Sequence, residues 1–529
     1  MAKSPSQTQE KMRPTHLLTA ILVALSLSTA AQPTAVRAFD LASGAALLTP
    51  RAGGGALMLS RDANTFLPVL VRLDATGATF SSHLLGLSID VGFSDAVTLA
   101  DGRHVLVGYG LSAGQSTGLT LLVDSPGAPG PARLCNYGTT TEFISATPAS
   151  DGGFFAIGNG FNAANNYVGL LAKFDAQLDT VWTRLLQPGP NERLSLKFAA
   201  ELPSGDIIAA GERATGNFST YHLCLYRFTA GGDLLWANEY PLAGPLSQPI
   251  RAMHYDGQDG IFIASLATNP VNFDSRIALS AFDTTGNFLF ADSIGGLRDP
   301  EVRGMRQGPG GEVVLIGDGT DANFQLVGFS TAVGPSGGLW ANRFSVNGSG
   351  ILLDILPRPG GGYRIVAGDF VQAYLLDTDA QGKVGDSCGI APLSMPVGPL
   401  STSTAPFQPT VIRGITITPL FAAANPFAVS NQVQCLATGL NPARPDAQGV
   451  VVAPQPMRTS ARIHWDAPAL AEDMQLHITD LHGRTVTPVV TRLPDGFEVQ
   501  RGDLPAGIYA YQVLQDGQRI ASGKLWVAD

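Results

Sequence analysis

Charge is what this 529-residue sequence has least of: only 14% of its residues are Asp, Glu, Lys or Arg, lysine occurs six times, and the formal net charge is −10 at pH 7. A nucleic-acid partner demands clustered Lys and Arg to displace counterions from phosphates. No such patch is visible, which excludes that class. Long apolar runs are missing too. The most apolar stretch, Leu17 to Leu27, falls short of the roughly 18 residues of a membrane span, so no transmembrane segment is expected in the mature chain. Cysteine occurs four times, at Cys135, Cys224, Cys388 and Cys435. None lies in a C-x-x-C pair, which argues against zinc and thioredoxin-type chemistry. Between residues 32 and 389 histidine occurs only as His83, His104, His222 and His254. These occupy non-equivalent positions in the repeats described below, so no ring of metal ligands is expected, and no cofactor is implied. Helical periodicity is absent along the whole chain.

What is abundant is glycine, 61 residues, in a chain that is 45% hydrophobic. That combination suits short strands joined by tight turns. A unit seen clearly from Asp151 to Leu186 recurs, opening each time on a turn: Gly53-Gly54-Gly55, Asp101-Gly102, Asp151-Gly152-Gly153, Ser204-Gly205-Asp206, Asp259-Gly260, Gly310-Gly311 and Gly360-Gly361-Gly362. The spacing of roughly fifty residues falls in the range of propeller repeats. Each unit reads as four strands. The second ends on a small residue, as at Gly108, Gly211, Gly317 or Gly368, and the fourth carries an aromatic, as at Trp182, Trp236, Phe290 or Trp340. The aromatics are expected to pack between neighbouring units. The expectation is an all-β fold: a seven-bladed β-propeller over residues 32–389, followed by a small immunoglobulin-like β-sandwich. The last repeat is weakest in its fourth strand, Lys383 to Gly389, and Thr34 to Phe39 is expected to help complete it.

The flanking regions differ. Residues 1–31 read as a signal peptide, with Lys11 and Arg13 before the apolar run and Ser28-Thr29-Ala30-Ala31 as a small-residue cleavage site. Either Met1 or Met12 serves as the start. Residues 390–449 are rich in Pro, Ser and Thr and read as an extended linker. Within it, Val411 to Pro419 and Val429 to Leu436 are expected to form a strand pair packed on the propeller edge. In an oxidising compartment Cys388 and Cys435 are the plausible disulfide, stabilising by about 3–4 kcal/mol in chain-entropy terms. Cys135 and Cys224 read as buried thiols. Residues 450–529 carry six short strands: Ala461 to Asp466, Met474 to Asp480, Thr485 to Thr491, Phe497 to Arg501, Gly507 to Leu514 and Arg519 to Val527.

This last block resembles the C-terminal sorting domain of the type IX secretion system of Bacteroidetes. Pro454-Gln455-Pro456-Met457 stands where that family has Pro-Asn-Pro, and the shaping residues Pro454 and Pro456 remain. Asp480, Gly483 and Arg484 are similar to its Asp-hydrophobic-x-Gly-Arg turn. Leu504, Pro505, Gly507 and Tyr509 match its Leu-Pro-x-Gly-x-Tyr motif, and Gly523-Lys524 its last strand. The resemblance implies export through the inner membrane, then passage across the outer membrane by type IX machinery that reads this domain. The product would be secreted and extracellular, released or attached to the outer-membrane surface. The repeats are similar to the Asp-Gly-Gly…Leu-Asp-x-x-Gly-x-x-x-Trp repeats of such cargo, which names an architecture only.

Other motifs have plainer readings. Gly110-Leu111-Ser112-Ala113-Gly114 fits a nucleophile elbow in spelling, but it lies between two strands and reads as a turn. Gly158 to Ala163 matches a dinucleotide fingerprint without the helix that one requires. Arg501-Gly502-Asp503 reads as a strand-end turn. Gly317-Asp318-Gly319-Thr320-Asp321 could offer oxygen ligands to calcium, with a solvated loop as the default. The expected function is that of a secreted or cell-surface binding or scaffold module for a glycan or protein ligand. The alternative is a propeller enzyme acting on polysaccharide, a lyase or glycosidase, which would need convergent carboxylates or a Tyr/His/Arg cluster at the axis.

Overall fold

The computed structural model describes residues 34–437, apart from 113, 126, 163–165, 216–219, 309, 336, 346–349, 360, 369–371, 385–387 and 389. It also describes residues 451–528, apart from 465–473, 480–484 and 516–517. The expected signal peptide therefore lies outside the described residues. The chain divides into two compact units, residues 1–437 and 438–529.

The first unit is all-β and repetitive. Seven antiparallel sheets follow in chain order, each built from four strands joined by short turns. Sheets 1 to 6 span residues 41–87, 90–136, 140–187, 192–240, 250–294 and 298–344. Sheet 7 takes three strands from residues 351–377, and its fourth is Thr34–Phe39, paired antiparallel with Ala373–Asp377. That N-terminal strand completes the last repeat, as the sequence reading expected. The first strands of consecutive sheets are neighbours, and that of sheet 7 (Ile351–Pro357) meets that of sheet 1 (Leu41–Pro50), closing the cycle.

The packing explains why the strands read as continuous apolar runs. Each sheet is apolar on both faces and shares one core with each neighbour. On Phe154–Phe161, Phe154 and Ala156 face the core shared with sheet 2, while Phe155 and Ile157 face the one shared with sheet 4. Seven such cores complete the cycle. Fully burying a Phe side chain is worth roughly 1.5–3 kcal/mol, so this repetition supplies the main driving force. The fourth-strand tryptophans sit against turn glycines of the next sheet. A Cβ on Gly286 (φ +87°) would lie 2.6 Å from the Trp236 ring. Gly232 and Gly382 lie in the same way beneath Trp182 and Trp340.

The segment from residue 390 onward corrects the sequence reading. It is not a linker with a strand pair but a strap that runs backwards past every sheet. Ile390–Pro392 joins sheet 6, Val397–Pro399 sheet 5, Ala405–Pro406 sheet 4 and Thr410–Ile412 sheet 3. Thr416–Leu420 then joins sheet 2, Ala422–Pro426 sheet 1 and Asn431–Ala437 sheet 7, through Thr34–Phe39. Each sheet thus gains a fifth, outermost strand. Four of the seven end at Pro392, Pro399, Pro406 or Pro426. Proline is tolerated there because an outermost strand has one edge in solvent, where its missing N–H costs no ladder bond. Cys388 and Cys435 form a disulfide that fastens the start of the strap to its end.

The second unit has two four-stranded sheets around a core that includes Met457, Ile463, Ile478, Phe497, Val499, Tyr511, Val513 and Leu525. The strand expected from Thr485 to Thr491 is two strands on different sheets, Thr485–Val486 and Val490–Leu493. Val451–Ala453 adds a strand that the sequence reading lacked.

Candidate functional site

The first strands surround a cavity of about 750 Å³, to which every sheet of the ring contributes. Its shape follows from a repeated irregularity. The first strands of sheets 2 to 7 each carry a register shift at the same height, for example between Phe93 and Asp95 or between Ile250 and Ala252. A bulge inserts one extra residue and re-aims its side chain. The inserted residues Ser94, Ile144, Arg251, Arg303 and Leu353 all line the cavity. The small residue expected to end the second strand lies within it, opposite this bulge. A Cβ on Gly158 would lie 2.0 Å from the Glu142 carbonyl oxygen, so only glycine fits beneath the bulged backbone.

The polar lining divides into two groups. Asp95 and Asp354 lie just past bulges and tie sheets together. The Asp95 carboxylate accepts from the N–H of Ala96 (2.8 Å) and from that of Ala146 on the next sheet (2.9 Å). The Asp354 carboxylate accepts from Ile355 (2.7 Å) and from Leu48 of sheet 1 (2.8 Å). Burial pushes the Asp95 carboxyl up to about 6, helped by the nearby charge of Asp354, whose own carboxyl is also raised, chiefly by desolvation.

The second group lies on sheets 4 to 6: Glu201, Arg251, His254, Tyr255, Arg303 and Arg306. Its cations are matched by acids. Arg251 meets Glu301 at 2.6 Å, Arg303 meets Asp318 at 2.8 Å and Arg306 meets Asp354 at 3.7 Å. The His254 imidazole is held below its ordinary value by desolvation and by Arg306. Its Nε2 has no hydrogen-bond partner among the described residues. The wall is thus polar and nearly charge-balanced. Tyr255, His254 and Arg306 all line the axis, which the sequence reading missed. Arg306 acts on His254, while the Tyr255 hydroxyl donates to the Gln258 carbonyl at 2.9 Å. Alternate residues on strands half-buried along a channel carry no motif, although the tract Arg251 to Tyr255 held the signal.

The motif residues named from sequence fall elsewhere. In the second unit Pro454, Pro456, Pro505 and Lys524 are exposed, while Leu504 and Tyr509 enter the core. The Tyr509 hydroxyl donates to the Pro505 carbonyl (2.9 Å), fixing the turn between them. Gln455, where the resembled family has Asn, donates to the Lys524 carbonyl and accepts from the Trp526 N–H, so it ties this segment to the last strand. Asp480, Gly483 and Arg484 lie outside the described residues. Gly110, Leu111 and Ser112 end a strand, and Ser112 pairs with Gln115 on the next one. Residues 501–503 form a turn closed by the Leu504 N–H on the Arg501 carbonyl. In the loop considered for calcium, Asp318 accepts from Arg303, and Asp321 accepts from the Asn323 and Gln325 N–H groups. No group of three or more metal-ligating side chains occurs among the described residues. Cys135 and Cys224 are buried thiols.

No protein-family model matches the chain, and no curated protein matches it. Among solved structures it is similar to Sqt1 from Chaetomium thermophilum, at 12% identity and TM-score 0.38, over 66% of this chain and 100% of that one. It is also similar to a glucose dehydrogenase, at 10% identity and TM-score 0.30, over 56% of this chain and 99% of that one. A third likeness is to MPT-4, a mannose phosphorylase from Leishmania mexicana, at 14% identity and TM-score 0.22, over 45% and 82% of the two chains. Likeness at these scores carries no argument about fold or function. The site must speak for itself.

Proposed function

We propose that the first unit is a seven-bladed β-propeller acting as an exported binding module, and that its ligand enters the axial cavity. The observation that carries this is the cavity itself, about 750 Å³ and lined by all seven first strands, a volume within the range of ligand sites. Its charge-balanced, hydroxyl- and guanidinium-bearing wall suits a neutral, hydroxyl-rich ligand such as a glycan segment better than a strongly charged one. Binding is favoured over catalysis because both oxygens of Asp95 and of Asp354 are taken by backbone donors, which poorly suits them to pass a proton to a substrate. The test is calorimetry of the purified chain against a panel of neutral and acidic oligosaccharides, alongside Arg306→Gln. A neutral saccharide whose heat of binding disappears in the variant would support the proposal. Saccharide binding untouched by Arg306→Gln would place the ligand elsewhere.

The enzymatic reading rests on Tyr255, His254 and Arg306 all lining the cavity. It predicts new unsaturated or reducing ends when polysaccharide is incubated with the protein, lost in Tyr255→Phe.

We further propose that the second unit is an immunoglobulin-like sorting domain for type IX secretion, leaving the product secreted or attached at the cell surface. Several motifs in family order support this, as does the use of Leu504 and Tyr509 in the core. Truncation after Gly449 should trap the chain in the periplasm. Secretion of the truncated chain at wild-type level would end that reading.

A further inference from the structure

Three loops that join the second and third strands of their sheets are built alike. They run from Asp62 to Leu67 in sheet 1, from Asn269 to Asp274 in sheet 5 and from Asp321 to Gln325 in sheet 6. In each the opening side chain accepts from a loop N–H: Asp62 from Thr65 (2.8 Å), Asn269 from Val271 (2.9 Å) and Asp321 from Asn323 (2.8 Å). In each a phenylalanine N–H returns to the carbonyl of that opening residue, from Phe66 (2.9 Å), Phe273 (2.8 Å) and Phe324 (3.0 Å). All three phenylalanines are left-handed, with φ of 57°, 59° and 59°. Their exposures are 62%, 71% and 70%.

Folding does not ask for phenylalanine there. A bulky residue in the left-handed region is strained, and glycine or asparagine would relieve it. The turns between third and fourth strands also need a left-handed residue. They use Gly77, Gly127, Gly232 and Gly286, or Leu178, which is fully buried. At the second-to-third loops the chain instead accepts strain in order to hold an aromatic ring in water. In sequence, Asn217-Phe218 and Asp369-Phe370 fall between the same pair of strands in two further repeats. Both pairs lie outside the described residues.

Equivalent loops of a closed ring lie at one end of it and at similar height, so their tips define a plane. Leu67 (41% exposed) and Val271 (82% exposed) add apolar surface beside two of the rings. The nearby charges are largely engaged: Asp62 and Asp321 cap their loops, Asp321 also meets Arg343 at 3.5 Å, and Asp274 meets Arg276 at 3.7 Å. Arg298 packs on the face of the Phe324 ring at 4.5 Å. Phenylalanine has no polar atom with which to read a hydroxyl or a peptide edge. Separate apolar anchors in one plane match a flat apolar surface, since interfacial binding scales with the apolar area inserted. The net charge of −10 favours a neutral surface over an anionic one. We propose that this end of the ring docks on a neutral lipid surface by inserting Phe66, Phe273 and Phe324. The inference stands on the ring alone and depends on neither the cavity ligand nor export.

The test is flotation of the full chain with phosphatidylcholine vesicles, and with phosphatidylcholine vesicles containing phosphatidylglycerol. It compares wild type with the triple variant Phe66→Asn, Phe273→Asn, Phe324→Asn. Asparagine tolerates the left-handed region, so the variant should melt at or above the wild-type temperature and loss of binding cannot be laid to misfolding. Wild type should float with the neutral vesicles, and the variant should partition at least about 100-fold more weakly. Equal flotation of the two proteins would overturn the proposal. So would binding confined to anionic vesicles. Wild type that stays free of vesicles but self-associates in the ultracentrifuge, with the variant monomeric, would overturn it in favour of contact between copies of this chain.

Discussion

The ring sheets and the strap are both made of β-strands, yet they are held by different forces. A ring strand such as Ile207–Thr215 is buried along nearly all its length and sits in cores on both faces. Almost every described residue from 390 to 435 keeps partial or full exposure, Met395 being the exception. The strap contributes one apolar row, including Phe407, Val411, Ile417, Leu420 and Phe427, that lies over the outer ends of the cores. Its other contribution is backbone pairing. Seven fourth strands would otherwise present unpaired edges, which are templates for aggregation. The strap covers them all, and its disulfide turns an otherwise weakly held segment into a closed belt. Burial makes the ring, while edge pairing and a covalent clasp make the belt.

That contrast can be tested most strongly in the ring. Phe174 is fully buried, stacked on Phe154 at 5.1 Å and edge-on to Phe143 at 6.2 Å. Phe174→Ala should cost about 3–5 kcal/mol in urea unfolding, against less than about 1 kcal/mol for Val411→Ala in the half-exposed strap. Equal losses would break the distinction. Next comes the clasp. Replacing Cys388 and Cys435 together by Ser should cost about 3–4 kcal/mol. Hydrogen exchange should then accelerate in residues 390–437 before it does in the first strands. Uniform acceleration would make the belt part of one cooperative unit with the ring.

A smaller effect is expected where sheets meet. Gly286→Ala meets both a left-handed backbone and the Trp236 ring, and should destabilise by about 1–3 kcal/mol. Gly102→Ala, left-handed but with no atom near its Cβ site, should cost about 1 kcal/mol.

An effect of similar size is one of pH. His104 is fully buried, and desolvation, with Arg51 and Arg72 nearby, pushes its imidazole down to about 4. The folded state therefore takes up its proton later than the unfolded chain does. The stability tied to neutral His104 is complete above pH 6.5 and is lost as pH falls towards 4. Asp95 acts in the opposite sense, because its raised carboxyl gains protons in the folded state between pH 6 and 4. His104→Leu should flatten the acid loss by about 2 kcal/mol between pH 7.5 and 5. An unchanged pH profile would show that His104 does not carry it.

Much of the ring was legible in sequence because its signals are local. Asp283 in Phe282-Asp283-Thr284-Thr285-Gly286 accepts from the N–H groups of Thr285 and Asn287, while Gly286 supplies the positive φ. A turn of that kind can be read within five residues, and its recurrence sets the repeat. The pairing of Cys388 with Cys435 was legible too, from their place in or beside the non-repeating region. The strap was not. Its prolines and short apolar pairs look alike in a linker and in an edge strand, and only the waiting edges decide between them. The axial cavity was hidden for a related reason. Arg251, His254, Asp95 and Asp354 come from three sheets, and bulges rather than motifs turn them inward.

The sequence by itself therefore determined the strands, the turns and the repeat period, since hydrogen bonds and φ preferences act over a few residues. The course of the strap and the lining of the axis were decided only by the tertiary structure. Each depends on an edge or face completed by residues tens to hundreds of positions away, as when Leu48 donates to Asp354 across the junction that closes the ring.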